Sequence, residues 1–233
     1  MVSSSKVNDF TLETLENVFQ NITEKTNFVK RFLYDQAIRH AQYVIDLHTA
    51  NRNTLLHVVY GRGDSASRKM AEIFGLEILL EEDISKELEQ ARFTGKLRNV
   101  LTASGVPAIT PELGGNDFFE EEHIALGVRG VTNVMKYLGM LEGDVVPPDK
   151  PQITLYGSHL DKVYASQGGI WFAQVQSGER VRTNQPLGVI YSIRTFETVE
   201  RPTAPYDVYV LGTADVPIVN IGDSLAAICH VDS

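Results

Sequence analysis

Apolar residues recur first at helical spacing and later at strand spacing along this chain. Leu12, Leu15, Val18, Phe19 and Ile22 outline a weak helix in polar surroundings, and Phe28, Phe32, Leu33, Ala37, His40 and Ala41 form a firmer stripe. Residues 43–50 follow as a strand, because Val44, Ile45 and Leu47 are residues that fill a buried parallel strand. A second strand is expected over 55–60 and a turn over 61–64. A helix through Met70, Ile73 and Phe74 comes next, capped by Asp64 or Ser65 and stopped by Gly75. Residues 76–80 read as a strand, and the acidic run 81–89 as a solvated loop or short helix. Leu97, Val100 and Leu101 mark a helix ending near Ser104 and Gly105, and residues 106–110 a strand that runs into Glu112 and the pair Gly114, Gly115. Asp117 and Glu120 make a capping-box-like start for a helix through Ile124, Val128, Val131, Met135 and Leu138.

This alternation of strand and helix predicts a parallel or mixed sheet with helices on its faces. Three prolines within residues 144–151 change the composition and mark a linker. Beyond it only short strands and turns are expected, with a weak internal echo. Gly178 and Glu179 precede 187–190 much as Gly222 and Asp223 precede 225–228. The organisation read from the sequence is therefore an α/β domain over 1–145 and a small all-β sandwich or barrel module over 151–233.

Composition narrows the function classes. A net charge of −9 and no basic stripe argue against a nucleic-acid binder, and no apolar run approaches the roughly 20 residues of a membrane helix. The single cysteine, Cys229, forms neither an internal disulfide nor a thiolate zinc cluster. With no apolar signal segment at the amino end, cytoplasm is the expected compartment. The composition leaves room for a homo-oligomer.

His48 falls where an apolar strand stops, at the edge where α/β sheets bind ligands, and can donate a lone pair to a metal or take a proton. Asp46, two positions away on the same face, could orient it. Glu112 ends another apolar strand in a similar position. On the residues alone the plainer readings are favoured: His48 as a hydrogen-bonded rim histidine, Arg98 as a surface arginine and Glu112 as a cap of the following turn.

The order of motifs resembles a known family. Residues 43–50 (YVIDLHTA), 56–58 (LHV), 95–98 (GKLR) and 105–114 (GVPAITPELG), followed by a helix, are similar to the succinylglutamate desuccinylase and aspartoacylase family. The likeness continues through 164–170, 178–181, 185–188, Ala204 and Pro205, and 221–225. The resemblance implies a carboxypeptidase-like mixed sheet with flanking helices, N-terminally incomplete, then the β module. It also implies a zinc-dependent hydrolase that cleaves the amide bond of N-acyl amino acids. His48 would be a zinc ligand, Glu112 the general base, and Arg98 the arginine that holds the substrate carboxylate or polarises its carbonyl.

One departure bears on activity. The family takes two zinc ligands from a His-x-x-Glu motif ahead of this strand, and none of His40, His48, His57, His123, His159 or His230 has a glutamate three positions later. A catalytic zinc needs three protein ligands. The expectation is a truncated or impaired deacylase, unless a missing segment, another chain or other ligands such as Asp46 and His57 complete the site. The alternative is a non-catalytic ligand-binding or interaction protein derived from that family. A carrier role is ranked last, because Lys162 lacks the hairpin context of a modified lysine.

Overall fold

A computed structural model describes residues 40–51, 53–85, 96–115, 120–157 and 161–230. The helix expected over 12–22, nearly all of that expected over 28–41, and Asp117 lie outside the described residues. The first part of the chain forms β1 (Val44–Ile45), β2 (His48–Ala50), β3 (His57–Gly61), α1 (Ser65–Phe74), β4 (Ile78–Glu82), α2 (Leu97–Ala103), β5 (Ala108–Gly115), α3 (Glu121–Tyr137) and β6 (Ile153–Gly157). The strands make one sheet in the order β1-β5-β3-β4-β6, with β2 also on β5. β5 runs antiparallel to β3, while its pairings with β1 and β2 and those of β4 with β3 and β6 are parallel. The sheet is mixed, as the alternation of elements leads one to expect.

Alternation along the strands assigns its two faces. Val58, Tyr60, Leu79 and Ile109 point to the side covered by α1 and α3, where they pack with Met70, Ala71, Phe74 and Val134. Asp64 caps α1 by accepting from the Ser67 backbone N–H at 3.0 Å, and Gly75 closes the helix in the left-handed region. Ser67 Oγ in turn accepts from the Ala108 N–H at 2.8 Å, which ties the first turn of α1 to the start of β5.

The opposite face meets the β part. β7 (Lys162–Tyr164), β9 (Arg180–Val181), β12 (Val208–Thr213) and β14 (Ser224–Cys229) form one antiparallel sheet, in the order β7-β14-β12-β9. β8 (Gly169–Ala173), β10 (Gly188–Tyr191), β11 (Thr198–Glu200) and β13 (Ile218–Val219) form the other, in the order β11-β10-β8-β13. Trp171, Ile190 and Val219 from one sheet pack against Val208, Val210, Leu225 and Ile228 from the other, so the module is a sandwich. The neighbouring residues Leu211 and Cys229 face the other way, onto Val59, Ile78, Leu80 and Leu155 of the mixed sheet. The sheet containing β12 and β14 thus has a core on each side. The sequence echo corresponds to β10 and β14, one in each sheet, each preceded by a turn at Gly178 or Gly222 with positive φ (97° and 87°).

Four details differ from expectation. The strand expected over 43–50 is broken at Asp46 and Leu47 into β1 and β2, and it lies at the sheet edge with Leu47 52% exposed, because β1 has a sheet neighbour only on its β5 side among the described residues. The acidic run does not begin in a solvated loop: β4 extends through Glu81 and Glu82, and Glu82 is buried because two cations neutralise it. β5 continues past Glu112 to Gly115. The boundary expected at 151 falls one strand early. Residues 153–157 pair in parallel with β4 and bury Leu155, so the Pro-rich stretch leads back into the mixed sheet. Among the described residues, no helix is long and apolar enough to cross a membrane.

Candidate active site

Glu112 is the meeting point of three strands. It pairs in register with His48 of β2 on one side and with His57 of β3 on the other. Directly opposed residues point to the same face, so an imidazole flanks the carboxylate on either hand. That face is the one turned toward the β module.

His48 Nδ1 lies 3.5 Å from Glu112 Oε1, and its Nε2 lies 3.1 Å from Asp46 Oδ2. The break between β1 and β2 makes this possible. It swings Asp46 beside the ring while the Asp46 backbone N–H still donates to Ile109 O at 3.0 Å. His48 is half exposed, whereas Glu112 is mostly buried and its Oε2 has no partner among the described residues. Burial raises the Glu112 carboxyl above its ordinary value; the His48 charge and hydrogen bond oppose the shift, the Asp46 charge adds to it, and Lys96 opposes it. A carboxyl whose proton affinity is raised and which lies beside a cavity is a candidate for proton transfer. Gly114, two residues after the glutamate and at φ 108°, leaves room for the His123 ring that a Cβ there would meet.

Glu112 lines a cavity of about 190 Å³ between the mixed sheet and the β module, together with His57, Thr54, Lys162 and Thr213. The 53–56 segment closes one side by docking on β12, with the Leu55 N–H donating to Leu211 O at 3.0 Å and Thr54 bridging to Gly212. The close approach of Thr54 leaves no room for a side chain at position 212.

Arg98 stands elsewhere. It is 1% exposed on α2, and its Nη2 pairs with Glu82, whose other oxygen accepts from Lys96 Nζ at 2.7 Å. Glu82 lies opposite Gly61, four residues along β3 from His57, a rise of roughly 13 Å from the Glu112 row. The structure therefore brings His48 and Glu112 together and holds Arg98 in a separate buried pair. Its Nε and Nη1 keep no partner among the described residues. His57 carried less weight in the sequence than the fold gives it. The signal available was a histidine inside the apolar run 55–60, a polar group that such a strand buries only for a reason.

The donor set around Glu112 is short of ligands for zinc. Among the described residues no three His, Cys, Asp or Glu side chains are grouped to hold a metal ion, and both ring nitrogens of His48 lie against carboxylates. These residues do not by themselves fit a three-ligand zinc centre.

Comparison with known proteins identifies the lineage of this arrangement. The family described as the succinylglutamate desuccinylase/aspartoacylase catalytic domain matches residues 10–138, more than half of the chain. The chain belongs to this family. Within this deacylase family, it is 28% identical over 125 residues to N-alpha-acetyl-L-2,4-diaminobutyric acid deacetylase of Halomonas elongata, a match covering 53% of this chain and 36% of that protein. The fold is similar to a succinylglutamate desuccinylase/aspartoacylase structure from Rhodobacter sphaeroides, at TM-score 0.72 and 22% identity, covering 87% of this chain and 62% of that one. It is also similar to a succinylglutamate desuccinylase from Silicibacter sp., at TM-score 0.74 and 18% identity, covering 86% and 61%. The matches thus span about a third of the Halomonas protein and less than two thirds of either structure.

Proposed function

We propose that this chain acts on the amide bond of N-acyl amino acids, with Glu112 as the proton-transfer group and His48 as its immediate partner. The observation that supports this reading is the His48–Glu112 pair, with the second Glu112 oxygen buried and unpartnered beside a cavity. In the reaction, Glu112 takes a proton from water as the hydroxide oxygen adds to the acyl carbon. The same proton then passes to the nitrogen as the C–N bond breaks, and the acid so formed gives its own proton to the amine, leaving a carboxylate and an ammonium. Arg98 would reach a substrate carboxylate only if Glu82 released it, because in the structure it is buried in that pair, roughly 13 Å along β3 from the Glu112 row. The Halomonas relative is named for an N-acetylated diamino acid, which makes Nα-acetyl amino acids the first substrates to try. Zinc would supply a Lewis acid in such a reaction, but the described donor set does not fit it.

A second reading, a non-catalytic ligand-binding protein of the same family, is favoured by one feature: the carboxylates that occupy both ring nitrogens of His48. An assay of N-acetyl amino acid hydrolysis separates the two. General-base action alone gives about 10²–10⁴-fold over the uncatalysed rate, and Glu112→Gln should remove it. Ligand binding without any Glu112-dependent turnover would support the second reading and overturn the first.

A further inference from the structure

The sheet that holds β8 and β10 is apolar on both faces, yet among the described residues a core lies on only one of them. Trp171, Ile190 and Val219 turn inward to the core of the sandwich. The residues that alternate with them turn outward. Ile218, Ile170 and Tyr191 stand opposed in one row across β13, β8 and β10, and Phe172 and Val189 stand opposed in the next. Phe172 and Tyr191 meet edge to face, with ring centroids 5.7 Å apart. An antiparallel sheet with one face in water ordinarily alternates apolar with polar residues. The sheet of β12 and β14 departs from that rule because a core lies on each side of it. The outer face of β8 and β10 departs from it in the same way, which calls for a cover.

Phe172 is 56% exposed and Ile218 53%. Ile193 and Phe196, in the turn from β10 to β11, and Val216, just ahead of β13, are also more than half exposed. With roughly 100 Å² left in water on each, these five side chains offer on the order of 500 Å² of apolar surface, toward the upper end for a monomer. Phe196, at φ 56°, also holds a bulky side chain in the left-handed region, a cost that proteins retain mainly where a site uses it.

We infer that this face pairs with the same face of a second copy of the chain, in a two-fold dimer joined through the outer sheets of the two sandwiches. The opposed rows carry no charged residue, although the chain has a net charge of −9, so nothing on the face selects a basic or an acidic partner. A sheet face is self-complementary under a two-fold axis, and two such faces pack about 10 Å apart. Joining two copies removes on the order of 1,000 Å² from these side chains alone, the size at which a specific interface begins. Glu112 and its cavity lie on the far side of the sandwich, against the sheet of β12 and β14, so the contact leaves them open.

Sedimentation equilibrium of the full chain tests this. At tens of micromolar the mass should be twice 25.9 kDa. Raising the salt from about 50 to about 500 mM should tighten the dimer, because it screens the repulsion between two chains of like charge. Phe172→Glu and Ile218→Glu should each weaken association at least about tenfold, since each places an unpaired carboxylate in the contact. Val128→Glu, on the exposed side of α3, should leave it unchanged. Phe196→Ser, in a turn rather than a strand, should also weaken it and decides the matter if the strand variants do not fold. A mass of one chain at every concentration would overturn the inference and leave the face to a different partner. A dimer that high salt dissolves, or one that Phe172→Glu and Phe196→Ser leave intact, would overturn it as well. Loss of the dimer in Val128→Glu alone would assign the contact to α3 instead.

Discussion

Glu112 and His48 occupy facing positions on β5 and β2, and their side chains meet with Oε1 3.5 Å from Nδ1. Neither placement depends on a flexible loop. β5 is held by β1, β2 and β3, and the break that brings Asp46 round to the ring is fixed by a backbone hydrogen bond to Ile109. A carboxylate fixed in this way beside an imidazole keeps its proton-transfer geometry before any ligand arrives. Burial, the largest contribution, raises its proton affinity.

Arg98 and Glu82 form the most deeply buried ion pair in the description. Removing Arg98 leaves the buried Glu82 carboxylate with one cation, Lys96, instead of two. Arg98→Ala should lower stability by about 3–5 kcal/mol, and Arg98→Met with Glu82→Leu should recover most of that loss. Urea denaturation of the three chains measures it. A loss below about 1 kcal/mol in Arg98→Ala would mean that the pair is solvated.

His57 should make stability pH-dependent. Its folded value lies near 4 against an ordinary 6.5, so the unfolded chain binds the extra proton in between. Stability is then full above pH 6.5, declines as the pH falls, and is lower by about 3 kcal/mol once the pH is below 4. Urea midpoints measured from pH 7.5 to 4.5 should fall accordingly, with a flatter slope in His57→Gln. An unchanged slope in the variant would assign the effect to other groups.

The core shared by the mixed sheet and the sandwich should make them unfold together. Leu211 is fully buried against Val59, Leu80 and Leu155. Leu211→Ala should cost about 2–5 kcal/mol and lower a single transition. Two separate calorimetric transitions, only one of them moved by the substitution, would show that the sandwich is independent.

Much of this architecture could be read in the sequence because local signals and tertiary packing agree. Asp64 and Gly75 bound α1 where capping chemistry places them, and the mixed sheet with its following β part matches the alternation of elements. His48 and Glu112 stood out as polar groups ending apolar runs. What could not be read depends on contacts distant in sequence. Glu82 looks solvated in an acidic run and is buried only because α2 brings Arg98 and Lys96 to it. Residues 153–157 follow a proline-rich stretch, yet their parallel pairing with β4 places them in the earlier sheet. Arg98 carries no mark of burial in its own neighbourhood. The cavity joins β3, β5, β7 and β12, and no local pattern encodes that convergence.

This edge holds a base between two imidazoles and, among the described residues, lacks the donors of a full zinc centre. Zinc titration of the metal-free 233-residue chain by calorimetry, repeated on His48→Ala, tests it most directly. The account predicts weak binding, far from the affinity of a three-ligand site, with at most a small change in the variant. Stoichiometric, tight zinc binding that His48→Ala abolishes would contradict it and show that other residues complete the metal site.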